Sequence, residues 1–447
     1  MTRLEIASIV PLVLTPLLSC ANATLAQQPP LQAITLSDAA ERALAHHPVM
    51  AAADARADAA AAAAGVARAA RLPSLRSEAS AIRFQEPMIV APLHRFDPQN
   101  VPPFDRTLIQ GNVVAQWTLF DGGARGARIR QADALEDVAL AQRASAERAL
   151  VAATASAWLD ARLAGDLLAA CEAQRDALQA ERRRVSQLLE EGKVARVELL
   201  RIDAALARAE AEAAAALAER DVALADLQRY TGVPVAPAPA DIAVPGAPAL
   251  DEITARAVES SADVRTARAR AAAAAAAHAQ SRAGWLPRVD LAGRYNEYGS
   301  GAGDVSWEWQ GGVQLSWALF TGGARAREAE RTAAEARAAS ADAEAIARDV
   351  EHQVDRAAAA LTGALARVRA LEAALEQQQE VVRVELLALR EGAGVQTDYL
   401  NAEAELLRTR AALTEARHAA LLSRIEIARI TGALSPAWLE NALERGQ

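Results

Sequence analysis

Two periodicities alternate along this chain. In residues 109–119, Ile109, Gly111, Val113, Ala115, Trp117 and Leu119 alternate with Gln110, Asn112, Val114, Gln116 and Thr118. In 309–319, Trp309, Gly311, Val313, Leu315, Trp317 and Leu319 alternate with Gln310, Gly312, Gln314, Ser316 and Ala318. In 288–298, Val289, Leu291, Gly293 and Tyr295 alternate with Arg288, Asp290, Ala292, Arg294 and Asn296, and 74–84 repeats the pattern weakly with Arg76, Glu78 and Ser80 on one face. A period of two predicts four strands, each with an apolar and a polar face. Pro73 and Pro287 stand at strand starts, where a missing N–H is tolerated.

Between these segments the pattern is helical. Residues 124–191 run without a proline, and 36–72 and 195–231 are shorter helical stretches. Two stretches of about 37 residues set end to end match one of about 68, a rod of about 100 Å at 1.5 Å per residue. Residues 250–286, 395–431 and 324–391 repeat the arithmetic. Leu361, Val368, Leu375, Val382 and Leu389 fall at sevens, the seam of a coiled coil. Each half therefore predicts a two-stranded rod with one continuous helix beside two stacked ones.

The halves are copies. Trp117-Thr-Leu-Phe-Asp-Gly-Gly123 recurs as Trp317-Ala-Leu-Phe-Thr-Gly-Gly323, an offset of 200, and Glu191-Gly192 and Thr231-Gly232 recur at the same offset. Leu36 to Leu44 matches Leu250 to Val258, and Leu72-Pro73 matches Leu286-Pro287, at 214. Fourteen extra residues thus fall between Pro73 and Trp117, in a stretch holding Pro87, Pro92, Pro98, Pro102 and Pro103 with Phe96 and Phe104. The organisation reads as a leader at 1–26, a first repeat at 27–232, a Pro/Ala linker at 233–249 that cannot be a regular helix, a second repeat at 250–432 and a tail at 433–447. Gly122, Gly123, Gly322 and Gly323 form the strand-to-helix junctions.

Composition narrows the class. Aromatics are 4% and charged residues 23%, with Ala dominating long tracts, which suits long helices rather than a large globular core. A net charge of -9 argues against nucleic acid as partner. Arg3, the apolar run Ile6 to Leu18 and Ala21, Ala23 and Ala26 read as an export signal cleaved after Ala26. Leu17-Leu18-Ser19-Cys20 also matches a lipobox, in which Cys20 would be lipidated instead. Cys171 is then the one thiol beyond the leader, so no internal disulfide is expected.

No later segment is apolar enough for a membrane helix, so the mature chain is either soluble in the periplasm or inserted as a β-barrel. Strands of about ten residues, apolar on one side and polar on the other, suit lipid around a wet lumen. Trp117, Trp285, Trp307, Trp309 and Trp317 lie at strand ends, where an interfacial belt would place them. A soluble half-buried sheet has the same period. The long Pro-rich loop and its tight counterpart, Gly299 to Gly303, are expected on the outer face. Four strands cannot close a membrane barrel, which needs about eight or more; two chains would supply 8 and three would supply 12.

The tandem halves, W-x-L-F-[DT]-G-G, Leu-Pro before the strands and Glu-Gly at the helical turns resemble the TolC family of outer-membrane efflux proteins, over roughly residues 34–434. The resemblance implies a fold that is mainly α with a small β part. It implies a homotrimer whose 12-stranded barrel in outer-membrane lipid continues into a coiled-coil, α-barrel tunnel across the periplasm. It also implies partners, a periplasmic adaptor (membrane fusion) protein and an inner-membrane transporter, and a passive duct. Whether drug, metal or protein (as in type I secretion) is exported is not encoded in the chain.

The residues offer no chemistry of their own. His46, His47, His94, His278, His352 and His418 have no metal-ligand spacing, and no phosphate loop, nucleophile elbow or cysteine pair occurs. No enzyme, cofactor or metal is expected. The rival class is a periplasmic coiled-coil adaptor or structural protein without a barrel. Gly192 and Gly392 end the long helices, which places the periplasmic tip just after them. The resemblance implies two acidic residues one helical turn apart at the closed entrance. Asp398 matches the first, Asn401 replaces the second, and Glu198 and Arg201 are their first-repeat counterparts. The tyrosine and arginine of a tip lock fall on Leu389 and Gly394, so that lock is expected to be absent.

Overall fold

A computed structural model describes residues 31–92, 94, 98–99, 101, 104–239, 246 and 250–444. The leader with Cys20, Phe96, Pro102, Pro103, most of 240–249 and the end of the tail lie outside the described residues. The order is β1 (Gln32–Ile34), α1 (Leu36–His46), α2 (Pro48–Ala69), β2 (Ser74–Ile89), β3 (Phe104–Phe120), α3 (Ala124–Glu190), α4 (Arg196–Thr231), β4 (Val235–Pro237), α5 (Leu250–Ser260), α6 (Ala262–Ala283), β5 (Arg288–Ser300), β6 (Val305–Ser316), α7 (Ala324–Arg390), α8 (Gln396–Ile430) and α9 (Pro436–Leu439), then a π-helical turn at Glu440–Glu444.

The chain is mainly helical with a small β part, and the repeated order is plain. Helices α3 and α7 have 67 residues each, about 100 Å. Each lies beside a stacked pair: α3 beside α2 and α4, α7 beside α6 and α8. The upper stretches are not single helices, as 36–72 and 250–286 had suggested. At the first break His47 leaves helical geometry, Pro48 opens α2, and the His47 ring accepts from Val49 N. At the matching position in the second repeat, Ser261 Oγ caps α6 by accepting from Asp263 N at 3.2 Å. Val354, Leu361, Val368 and Val382 are buried along α7 and Leu375 packs partly buried beside them, so the seam at sevens faces α8.

The main core sits halfway down the rods. Trp158 is buried there with Leu36, Val151, Leu227, Leu421 and Ile425, and its indole N–H donates to Ile34 O at 2.9 Å. β1 pairs in parallel with β4 beside it. The C-terminal turn folds back on the same level, where Glu444 accepts from Leu36 N at 2.7 Å and from Ser37 Oγ at 2.7 Å. A carboxylate on the first turn of α1 satisfies free N–H groups and meets the positive end of the helix dipole.

At the other end, β2, β3, β5 and β6 form one antiparallel sheet in the order β2-β3-β5-β6. Register carries the two faces across all four strands. Ser77 is opposite Val113, Val113 opposite Tyr295, and Tyr295 opposite Trp309. On the other face Glu78, Asn112, Asn296 and Glu308 follow one another. The expected strand at 309–319 starts earlier and stops at Ser316. Its neighbour β5 begins at Arg288, which already pairs with Ser316, and Pro287 before it has no N–H to extend the ladder. β2 and β3 run past the ends expected of them, to Ile89 and back to Phe104, so much of the fourteen-residue insertion lengthens this hairpin.

Candidate functional site: the amphipathic sheet, its junctions and the helical tip

The sheet has its apolar side out. Trp309 is 73% exposed, Leu315 66% and Val313 65%, while Asn296 on the polar face is 3% exposed and Asp290 8%. A soluble sheet buries its apolar face; this one does the reverse. On the polar face Thr118 Oγ1 donates to Asp290 at 2.7 Å, and Arg288 pairs with the same carboxylate at 2.7 Å. Tyr298 donates to Glu308 at 3.0 Å, and His94 from the loop between β2 and β3 reaches Glu308 at 3.1 Å. These groups pair with one another across the polar face. Among the described residues no helix is long and apolar enough to cross a membrane.

The five tryptophans fall at two heights. Trp307 and Trp309 lie near the hairpin end of β6, and Trp117, Trp317 and Trp285 lie at the helical end. Ten residues separate Trp307 from Trp317; at about 3.3 Å per residue and a tilt of about 40° that is a vertical span of about 25 Å, the height of a barrel's apolar band. Trp117 and Trp317 also do a structural job. The Trp117 indole donates to Arg71 O at 2.9 Å and the Trp317 indole to Trp285 O at 3.1 Å, the same bond in each repeat. It ties the end of a strand to the end of the preceding helix.

The glycine pairs turn the chain from strand to helix with φ of 67° and 91° at Gly122 and Gly123, and 62° and 85° at Gly322 and Gly323. Asp121 fixes the first turn: it accepts from Gly123 N at 3.2 Å and Arg125 N at 2.8 Å, and pairs with the Arg125 side chain at 3.2 Å. Thr321 stands at its place in the second repeat, where Arg325 reaches it at 3.4 Å and lies 4.9 Å over the Trp285 ring. Gly122 has a second reason to be glycine. A Cβ there would stand 2.7 Å from Ala283 O and 2.8 Å from Leu286 Cβ, because this corner is pressed against the end of α6.

At the far end the rods close in two tight turns. Gly192 and Gly392, at φ of 70° and 73°, follow the last residues of α3 and α7. Asp398 and Asn401 are exposed one turn apart on α8, with Asp398 in its first turn, where a carboxylate also suits the helix dipole. The structure brings Glu198 and Arg201 together at 3.1 Å, and Arg201 reaches across to Thr397 Oγ1 at 3.1 Å, joining the two hairpins. At Gly394 a Cβ would make a tight approach, 3.0 Å from Leu389 N.

Sequence reasoning missed a second polar group at the tip. Glu181 pairs with Arg184 at 2.6 Å, and Gln396 and Tyr399 of α8 lie against them. Burial pushes the Glu181 carboxyl up, but the hydrogen bonds and charge of Arg184, with the Gln396 amide and the Arg390 charge nearby, outweigh it and hold it below the usual range. Burial, the Glu403 charge and the hydrogen bond to Glu403 push the Tyr399 hydroxyl up. The available signal was the matched spacing of three between Glu181 and Arg184 and between Gln396 and Tyr399. Among the described residues no cluster of His, Cys, Asp or Glu is placed to hold a metal ion.

Comparison with known proteins agrees with this geometry. The family model for the outer membrane efflux protein matches residues 39–233 and 254–433. No curated protein sequence matches the chain significantly. Among solved structures, the CmeC outer membrane channel of Campylobacter jejuni is similar with a TM-score of 0.75 at 15% identity, covering 90% of this chain and 86% of that one. The outer membrane protein VceC of Vibrio cholerae gives 0.73 at 19%, covering 89% and 96%. The open-state MtrE outer membrane channel of Neisseria gonorrhoeae gives 0.72 at 18%, covering 90% of each. At these identities the structures speak for the fold, and the family match covers most of the chain: the protein belongs to the outer membrane efflux protein family.

Proposed function

We propose that this chain is the outer-membrane duct of a tripartite export system: three copies close a 12-stranded barrel in the lipid, and their rods form a tunnel across the periplasm. The sheet carries the reading. Its apolar face is exposed, Asp290 and Asn296 at the middle of its polar face are shielded, and the outer edges of β2 and β6 have no partner strand among the described residues. An open edge in hydrocarbon leaves each unpaired backbone group costing several kcal/mol, so the strands must close through other copies. A soluble adaptor has no use for such a face. The duct is passive, and its energy comes from an inner-membrane transporter reached through a periplasmic adaptor at the helical tips. The test is fractionation: the protein is expected in the outer membrane as a heat-sensitive trimer, and a soluble periplasmic monomer would overturn the reading.

Asp398 and Asn401, with Glu198 and Arg201 beside them, are proposed to surround the periplasmic entrance. Three Asp398 carboxylates about one axis attract cations within a Debye length of about 8–10 Å. Asp398→Ala is expected to weaken block by multivalent cations in single-channel recordings and to shift cation selectivity, with trimer yield unchanged. Block and selectivity equal to the parent would remove Asp398 from the entrance.

A further inference from the structure

One row of side chains on the polar face of the sheet is built from acids and amides alone. Register sets Glu78 of β2 opposite Asn112 of β3, Asn112 opposite Asn296 of β5, and Asn296 opposite Glu308 of β6. Across the four strands the order is carboxylate, amide, amide, carboxylate. Directly opposite residues stand about 5 Å apart at Cβ, close enough for neighbours in the row to share a ligand.

Two oxygens in the middle of this row are left over. Asn296 is 3% exposed, yet its Oδ1 has no hydrogen-bond donor among the described residues, and neither has the buried Oδ1 of Asn112. The Asn296 amide nitrogen lies 3.5 Å from Glu308 Oε1. An amide holds its nitrogen and oxygen on opposite sides of one carbon, so turning Nδ2 towards β6 turns Oδ1 towards β3, where Asn112 stands. Two acceptors therefore face one gap with no proton between them. Buried acceptors are paired in nearly all native structures, and an exception calls for a water or an ion.

The groups around the gap favour a cation. Glu308 ends the row on one side; Tyr298 donates to its Oε1 at 3.0 Å, and His94 reaches its Oε2 at 3.1 Å. Glu78 ends it on the other side, with Arg76 at 3.6 Å and both side chains largely exposed. Arg294 belongs to the next row, opposite Val114 and Gln310, and donates to neither orphaned oxygen. The gap is thus lined by amide oxygens and bracketed by carboxylates.

We propose that the Asn112 and Asn296 amide oxygens, with Glu78 and Glu308 at their flanks, bind a divalent cation of the calcium class, one to each chain. Hard cations take oxygen ligands, amide carbonyls among them; calcium accepts irregular geometry and bound waters, whereas magnesium demands a near-ideal octahedron. Two neutral oxygens and flanking carboxylates make a site of low charge, which sets its affinity with that of extracellular calcium modules, about 10⁻⁴–10⁻³ M. The site is complete within one chain, so it stands or falls independently of how many copies close the barrel. An ion held between β3 and β5 ties the first hairpin of the sheet to the second.

The test is equilibrium dialysis of radioactive calcium against the purified full chain in calcium-free detergent. The parent is expected to bind one calcium per chain, half-saturated at about 10⁻⁴–10⁻³ M, with magnesium a poor competitor. Asn112→Asp keeps the size of the side chain and adds a charge, so it should tighten binding about tenfold, since ligand charge sets calcium affinity. Asn296→Leu should abolish binding and Glu308→Gln should weaken it. Asp398→Ala, which removes the carboxylate proposed at the helical tip, should leave this binding in place. If Asn296→Leu does not fold, Asn112→Asp decides, because only a site that contains Asn112 tightens with it. Absence of saturable binding, or binding that Asn112→Asp leaves unchanged, overturns the proposal and leaves the two amides bonded to each other with Asn112 turned over. Binding lost only with Asp398→Ala belongs to the tip and overturns it equally.

Discussion

Replacing Gly122 by alanine adds one methyl group at the place where strand, helix and the second repeat meet. Two costs are separable. The backbone at Gly122 has φ of 67° and that at Gly123 has φ of 91°, so alanine at either position gives up about 1–2 kcal/mol in left-handed geometry. Only Gly122 adds a clash: its Cβ would lie 2.7 Å from Ala283 O, a backbone atom that cannot swing aside, and 2.8 Å from Leu286 Cβ, whereas a Cβ on Gly123 meets nothing within 4 Å. Overpacking of this kind costs about 1–3 kcal/mol. Gly123→Ala should therefore destabilise by about 1–2 kcal/mol and Gly122→Ala by about 2–5 kcal/mol. Urea unfolding of the purified protein in detergent, followed by far-UV circular dichroism, measures the difference directly. Asparagine, which tolerates left-handed geometry, should recover part of the loss at Gly123 and none at Gly122. Equal losses for the two alanine variants would show that the corner is held by backbone conformation alone and is not pressed against α6.

Other perturbations address the belt, the loop and the tip. Trp117→Asp with Trp317→Asp should lower the yield of assembled protein in the outer membrane while far-UV ellipticity stays near the parent; a Trp→Phe pair, which keeps the ring but loses the bonds to Arg71 O and Trp285 O, should fall between the two, and unchanged yield for the Asp pair would refute the belt. Protease added to whole cells should cut within 87–107, and cutting only after the periplasm is opened would invert the topology. Glu181 is held below its ordinary value of 4.5, so its contribution to stability is present above about pH 4.5 and lost as pH falls through the lowered value. Glu181→Gln should flatten that acid limb of the stability profile, and an identical limb in both proteins would assign the acid sensitivity to other carboxylates.

What the sequence disclosed follows from which forces are periodic. A lipid-facing strand must be apolar at every second residue, so β3, β5 and β6 declared themselves, and the coiled-coil seam at Leu361, Val368 and Val382 did so for the same reason. Structure made by single residues was harder to read. The break at His47–Pro48 was visible as a helix end but lost in the length of 36–72, and its counterpart at Ser261 has no proline to mark it. β1 and β4, of 3 residues each, are too short to show any period. The link from Arg201 to Thr397 joins positions with no local relation, so no spacing announces it. The Trp phrase gave the junction but not the reason for Gly122, which depends on a helix end some 160 residues away.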